Sequence, residues 1–172
     1  WSQSLSGVPR VYALEFAGAS WLPLAASASG NGISSNALAA DQPAFAYHGG
    51  SLFAAWRQSI REGTSESEIY AARFNGSAWT EAGPGAASAS GISSTGGTSS
   101  QPRLASSGGA LHLAWVEDLL TSGVGTRSTI YAKRWDGSSF AEVFQHSGDV
   151  AGGVTATGDG LRSFALAATA SG

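Results

Sequence analysis

One short stretch occurs three times in this chain, and that repetition limits the possible folds more than any other feature. The copies are VYALEFAGASW at 11–21, IYAARFNGSAW at 69–79 and IYAKRWDGSSF at 130–140. Their tyrosines, Tyr12, Tyr70 and Tyr131, lie 58 and 61 residues apart. Repetition at this spacing is typical of modular arrays, in which one supersecondary unit cannot bury its apolar face alone.

The similarity continues beyond the short stretch. Residues 32–56 match residues 91–115 at a constant offset of 59. The positions in register include Gly32/Gly91, Ile33/Ile92, Gln42/Gln101, Pro43/Pro102, Gly49/Gly108 and Trp56/Trp115. Trp1 aligns with the two tryptophans, and SFALAATASG at 163–172 aligns with QPRLASSGG at 101–109.

Each unit contains strand and turn patterns. IYAARFNG alternates its side chains, with Tyr70, Ala72 and Phe74 on one face. Asn75-Gly76 and Asp136-Gly137 predict two-residue hairpin turns with both residues at positive φ, so the chain returns in a second strand. After a Gly/Ser/Ala loop, QPRLASSGG and ALHLAWVED predict two more strands, with the proline near a strand entry.

Four short antiparallel strands in about 59 residues, with no helical pattern, predict an all-β fold of β-propeller blades. The repeated stretch is then the first hairpin of each blade. We read residues 1–172 as one propeller segment with repeats of roughly 11–68, 69–129 and 130–172, preceded by the end of another blade at 1–10. Because propellers have about 4 to 8 blades, this segment belongs to a larger ring or is completed by other copies.

The composition excludes several functions. Charged residues make up 12% of the chain, about half the usual share, and the net charge is -3, which argues against binding a nucleic-acid backbone. Without cysteine there is no disulfide, thiolate metal site or cysteine nucleophile. No apolar run reaches the roughly 18 residues of a spanning helix. Because the sequence opens on WSQSLSG, we expect a mature, processed or partly observed chain.

The pattern IY-x-x-R-[FW]-[ND]-G-S-x-[WF], followed downstream by A-W-x-[ED], resembles the repeats of bacterial secreted and cell-surface β-propellers related to the sialidase-like superfamily. The resemblance covers nearly the whole chain and implies an extracytoplasmic location. Related blades serve as adhesins, lectins, structural modules and enzyme scaffolds. Of the Asp box Ser-x-Asp-x-Gly-x-x-Trp, only Gly-x-x-aromatic is present, as Gly18/Trp21, Gly76/Trp79 and Gly137/Phe140.

No pattern predicts a catalytic, metal or cofactor site. Arg73 and Arg134 occupy the same repeat position, which favours a shared structural role. The carboxylate pairs Glu66/Glu68 and Glu117/Asp118 are explained by a solvated loop and a strand end. The three histidines, His48, His112 and His146, show no ligand spacing.

The aromatic residues are the remaining candidates. Trp1, Trp56 and Trp115 predict an interblade core. Trp21, Trp79 and Phe140 follow the turn in each repeat and either pack between blades or stack on a sugar, so they are the candidate ligand-binding residues.

These observations favour a non-catalytic, extracytoplasmic β-propeller module that serves protein interaction or structural assembly at a bacterial surface. The alternative is a carbohydrate-binding lectin-type propeller, and a fragment of a sialidase-like glycoside hydrolase is the least supported. The expected partners are a protein or another copy that completes the ring, and glycans under the alternative. Contacts are expected on the loops 30–43 and 90–102 or the connections 58–68 and 117–129.

Overall fold

The computed structural model describes residues 1–5, 7–34, 38–121, 125–145, 147–148, 153–154, 161 and 163–169. Within these ranges the regular elements are strands and no helix occurs, which confirms the all-β prediction; accordingly, none of these residues forms a helix able to cross a membrane. The strands are β1 Ser2–Leu5, β2 Val8–Val11, β3 Leu14–Phe16, β4 Trp21–Pro23, β5 Ala40–His48, β6 Ser51–Ser59, β7 Ser67–Phe74, β8 Trp79–Glu81, β9 Thr98–Ser107, β10 Ala110–Thr121, β11 Gly125–Trp135 and β12 Phe140–Glu142.

Two four-stranded antiparallel meanders form most of the structure. Meander A contains β5, β6, β7 and β8 in chain order, and meander B contains β9, β10, β11 and β12. A single parallel bridge, Ser67 to Thr98, joins β7 to β9. The strands of both meanders therefore count as one sheet, but the sheets in the described ranges do not close into a ring.

The N-terminal part forms two further hairpins, β1 with β2 and β3 with β4. The pairing of Phe16 with Trp21 in this N-terminal unit repeats that of Phe74 with Trp79 in meander A. The strands β2 and β3 thus correspond to β7, and β4 corresponds to β8.

The sequence repeats and the meanders do not share boundaries. The repeated stretch was expected to form the first hairpin of a four-stranded unit. It instead supplies the last two strands, β7 with β8 and β11 with β12, because β6 pairs directly with β7 through eight residue pairs from Leu52/Phe74 to Ser59/Ser67. Each meander therefore combines two strands from one repeat with two from the next.

Stacked tryptophan–tyrosine pairs lie in equivalent places in all three units. Trp56 stacks on Tyr70 with ring centroids 6.3 Å apart, and Trp115 stacks on Tyr131 at 5.8 Å. Both tryptophans are completely buried, in two apolar clusters that pack neighbouring units together. This confirms Trp56 and Trp115 as core residues.

The hairpin turns differ from the prediction. Asn75 and Asp136 do not have positive φ, and the loop 75–78 contains four residues rather than two. The Asn75 side chain accepts hydrogen bonds from the backbone N–H groups of Ser77 and Ala78, at 3.0 Å each. A side-chain acceptor thus organises the turn, as is common for Asn and Asp before glycine.

The prolines after Gln42 and Gln101 lie inside β5 and β9, not at a strand entry. Both glutamines have positive φ, at 52° and 54°, and each strand changes register there. A β-bulge tolerates a missing backbone donor, which explains how proline fits inside the strand. The Gln42 side-chain oxygen accepts from Gln101 N at 2.6 Å and so links the two meanders.

Candidate functional site

The three candidate ligand-binding aromatics occupy equivalent places but differ in exposure. Trp21 is 64% exposed, Trp79 is half-buried and Phe140 is 8% exposed. Trp21 packs on Phe16 with ring centroids 5.2 Å apart, and Trp79 packs on Phe74 at 5.5 Å.

Contacts with the preceding unit account for this difference. The Nε1 of Trp79 donates to Leu24 O of the N-terminal unit at 3.1 Å. The Phe140 ring lies 6.4 Å from the Phe53 ring of meander A. Trp79 and Phe140 therefore pack between units, whereas Trp21 belongs to the first described unit. A role of the three residues in ligand binding stays a prediction.

The N-terminal unit has an unpaired strand. Within the described ranges, β1 pairs with β2 on one side and with no strand on the other. Its counterparts are paired on both sides, because β6 lies between β5 and β7, and β10 lies between β9 and β11. Among the residues that the structure describes, β1 therefore has no counterpart of β5 or β9 beside it.

An apolar cleft of about 590 Å³ lies beside this unpaired strand. It is lined by Trp1, Tyr12, Ala13, Leu14 and Trp21, and by Phe45 and Leu52 of meander A. Trp1 is 43% exposed, although its counterparts in both meanders are fully buried. The tryptophan that is a core residue in both meanders therefore lies, as Trp1, beside the unpaired edge of β1.

Residues 163–169 form a segment without regular secondary structure that pairs with no strand in the described ranges. Its side chains alternate between exposed and half-buried, with Phe164, Leu166 and Ala168 on the more buried side. The Phe164 ring lies under the Arg103 guanidinium, 5.9 Å from its central carbon, so the segment rests against meander B. By sequence this segment is a third copy of the first meander strand, after β5 and β9.

A separate groove of about 530 Å³ lies between the two meanders. Meander A contributes His48, Ser51, Phe53 and Arg73, and meander B contributes Trp135, Asp136 and Glu142, among others. The two arginines that share a repeat position both line this groove but make different contacts. Arg73 lies over the Trp135 ring. Desolvation lowers the pKa of the His112 imidazole, and the nearby positive charge of Arg134 lowers it further.

Two buried carboxyl groups meet at the junction of the meanders. Sequence reasoning paired Glu66 with Glu68 and Glu117 with Asp118, but the structure instead brings Glu68 and Glu117 to the same serine. Glu68 is 3% exposed and Glu117 is fully buried, so the solvated interpretation is wrong for both. The Ser99 Oγ lies 3.2 Å from Glu68 Oε2 and 2.6 Å from Glu117 Oε2.

This network favours a proton on one carboxyl group. The Ser99 hydroxyl has one hydrogen and can donate to only one of the two oxygens. Desolvation raises the pKa of Glu117, and the nearby Glu68 charge raises it further, while the hydrogen bonds that Ser99 and Trp115 can donate to the ionised form lower it. The raised pKa makes Glu117 the carboxyl group that holds this proton, with Ser99 in contact with both carboxyl groups.

Glu117→Gln is expected to raise the free energy of unfolding at about pH 8 by about 1–2 kcal/mol. In the wild type the folded state keeps a proton that the unfolded state has lost, so stability falls as pH rises above the ordinary glutamate pKa of 4.5. Glutamine is also the native residue at the equivalent position, where Trp56 Nε1 donates to Gln58 Oε1 at 3.1 Å.

Urea unfolding of both proteins between about pH 5 and pH 9 checks this expectation. The exposed Glu142→Gln serves as the control and should leave the pH dependence unchanged. A stability difference between wild type and Glu117→Gln that is the same at every pH would contradict the assigned proton.

The histidines remain separate. His48 Nδ1 lies 3.0 Å from Ser106 Oγ, His112 is half-buried in β10, and His146 lies outside the described residues. Across the ranges that the structure describes, no group of three His, Cys, Asp or Glu side chains is arranged to hold a metal ion.

Searches against protein-family models, curated proteins and solved structures give no match. The function of the chain must therefore be argued from its own geometry, in which the unpaired β1 edge, the groove and the buried carboxyl pair are the distinctive features.

Proposed function

We propose that this chain is a non-catalytic β-propeller module that serves assembly, and that copies of it complete one another. One observation carries the proposal: β1 lacks a partner on one side, and residues 163–169 are a copy of the strand that fills that side in both meanders. The segment of one copy would pair with β1 of the next copy, which is strand addition at an exposed edge.

The apolar positions of the repeat support this pairing. Phe45 of β5 packs against the cluster that contains Trp56, and Leu104 of β9 packs against the cluster that contains Trp115. Leu166 is the third member of this series, since it follows Leu104 by 62 residues as Leu104 follows Phe45 by 59. In the assembly, Leu166 of one copy would lie beside Trp1 of the next and cover the apolar cleft.

The same arrangement accounts for the exposure of Trp21. In a single chain, Trp79 and Phe140 are covered by the unit before them. In the proposed assembly, meander B of a neighbouring copy would cover Trp21 in the same way. Each copy contributes its two meanders, and its N-terminal unit would gain a fourth strand from residues 163–169 of the other copy. Two copies would therefore give six four-stranded units, within the range of about 4 to 8 for propellers.

The non-catalytic part of the proposal is supported by the burial of the carboxyl pair. Glu68 is 3% exposed and Glu117 is fully buried, so a substrate has little access to this pair of carboxyl groups. An extracytoplasmic setting, which the family resemblance implies, belongs to the same proposal and is supported by the low charge content.

A disulfide between Gln3→Cys and Leu161→Cys tests the assembly. Their counterparts are cross-strand partners in both meanders, Gln58 with Ala40 and Glu117 with Ser99. Partners in adjacent strands are about 4.5–5.5 Å apart at Cα, which suits a disulfide. Because the native chain has no cysteine, an oxidised product can involve only these two introduced residues, and each single-cysteine variant is the control for crosslinks between identical positions.

We expect a crosslinked dimer on a non-reducing gel and a native mass by light scattering near twice 17.3 kDa. Leu166→Asp should return the native mass to that of one chain, whereas Phe144→Asp, at an exposed phenylalanine of the last turn, should not. A single-chain mass at every concentration, or a crosslink within one chain, would contradict the proposal.

A further inference from the structure

Arg73 is held over an aromatic floor in the groove between the meanders. Its guanidinium carbon lies 5.7 Å from the centre of the Trp135 ring. Phe53 and Phe140 contact that ring edge-on, with centroid distances of 5.1 Å and 5.5 Å. The cation is therefore fixed on a packed surface before any ligand arrives.

This cation has no counterion in the described part of the chain. Arg73 takes part in neither the Arg57–Asp41 nor the Arg61–Glu66 ion pair, and none of the described residues forms another ion pair with it. The Nε of Arg73 is buried and has no hydrogen-bond partner among the described residues. A partly buried, unpaired guanidinium is costly, and an anionic ligand would reduce that cost.

One acidic side chain of the groove, Asp136, is engaged by its own turn. Asp136 accepts hydrogen bonds from the backbone N–H groups of Ser138 and Ser139, each at 2.8 Å. These bonds, with that of the Ser138 hydroxyl, lower the pKa of Asp136 to about 2. Its carboxylate organises the turn and does not neutralise Arg73.

The neighbouring groove shows that Arg73 is not a requirement of the fold. An equivalent groove of about 450 Å³ lies between the N-terminal unit and meander A. There Glu15 stands at the repeat position of Arg73, and Phe74 stands at that of Trp135. The same scaffold therefore carries the opposite charge one unit away, so a shared packing role does not explain the arginine.

The rest of the groove fits a small polar ligand. Its volume of about 530 Å³ falls within the range of small-molecule sites, about 300–1,000 Å³. Ser51 and Glu142 offer groups that bind hydroxyls at the rim, around the aromatic floor. We propose that this groove binds a sugar acid of the uronate class, with the ligand carboxylate on Arg73 and its hydroxyls at the polar rim.

Titration of the unmodified protein with D-glucuronate, D-glucose and acetate tests the proposal, with calorimetry and the indole N–H resonance of Trp135 as readouts. Glucose has the same ring without the carboxylate, and acetate has the carboxylate without the ring. We expect a dissociation constant on the order of 1–10 mM for glucuronate and binding at least about tenfold weaker for the other two. If either glucose or acetate binds as tightly as glucuronate, the assigned ligand class is wrong.

Arg73→Gln should weaken glucuronate binding by about tenfold or more, while Arg61→Gln, at an exposed arginine elsewhere, should change it less than about twofold. Both variants are compared with the wild type by thermal unfolding. Undiminished binding by folded Arg73→Gln would overturn the role of Arg73, and if this variant does not fold, the comparison of the three ligands still decides. The test does not depend on assembly, because the groove lies within one chain.

Discussion

Alanine in place of Gly91 is expected to lower the free energy of unfolding by about 3–5 kcal/mol, enough to unfold a protein of ordinary stability. Gly91 has φ +69°, in the left-handed region that disfavours other residues, and an added Cβ would overlap the carbonyl oxygen of Ile69. The N–H of Ile92 donates to that same oxygen at 2.6 Å. The backbone therefore has no room to move away without losing this hydrogen bond.

The same contact occurs in each unit, which makes it a property of the repeat. Gly32 has φ +63° beside the Val11 carbonyl oxygen, which accepts from Ile33 N at 2.9 Å. In the third unit Val154 N donates to Ile130 O at 2.6 Å, after a glycine with φ +105°. Each glycine lets its loop close onto a central strand.

Gly96→Ala is the matched control for Gly91→Ala. Gly96 has a similar φ of +73°, but an added Cβ would meet nothing within 4 Å. The backbone strain alone should cost about 1 kcal/mol. Urea unfolding of both variants measures the difference, and equal losses would show that the overlap with the Ile69 carbonyl is not the cause.

The repeat made much of this architecture predictable. Equivalent residues such as Trp56 and Trp115 are buried in equivalent contacts, because a periodic sequence places the same side chain at the same point of each unit. The boundaries of the four-stranded units were not predictable from that period. Consecutive strands alternate in direction along the chain, so any four consecutive strands fit a four-stranded repeat equally well.

The candidate site was less predictable because it depends on neighbours in space. Trp21, Trp79 and Phe140 are alike in sequence, but their exposure depends on whether a unit lies before them. Glu68 and Glu117 are far apart in the chain, so sequence spacing did not connect them. The sequence did contain a signal: each glutamate differs in charge from its counterpart in the preceding repeat. Glu68 corresponds to Arg10, and Glu117 corresponds to Gln58.

Glu68→Ala is expected to lower the free energy of unfolding by about 3 kcal/mol. The Glu68 carboxylate accepts from the Ser93 hydroxyl and from Gly96 N, the latter at 3.1 Å, and more weakly from Thr95 N at 3.4 Å. Alanine would leave these donors without an acceptor in a buried site. The loop that contains Gly91 would lose one of its attachments to β7.

Glu66→Ala provides the control for Glu68→Ala, two residues earlier in the chain. Its carboxylate pairs with Arg61 at 3.3 Å, but the Glu66 side chain is 44% exposed and that of Arg61 is 70% exposed, so the loss should be about 0.5 kcal/mol or less. Denaturant unfolding at neutral pH compares the two variants. Equal losses would mean that the buried network contributes no more than a surface ion pair.

The double variant Glu68→Ala/Glu117→Gln separates the network from the simple loss of one carboxylate. Because the Glu68 charge helps to raise the pKa of Glu117, Glu68→Ala should weaken the fall of stability with rising pH, and adding Glu117→Gln should then gain less at about pH 8 than it does alone. The two glutamates contact one serine, so their effects should be non-additive by about 1 kcal/mol. Strict additivity at every pH would show that the carboxyl groups act independently and share no proton through Ser99.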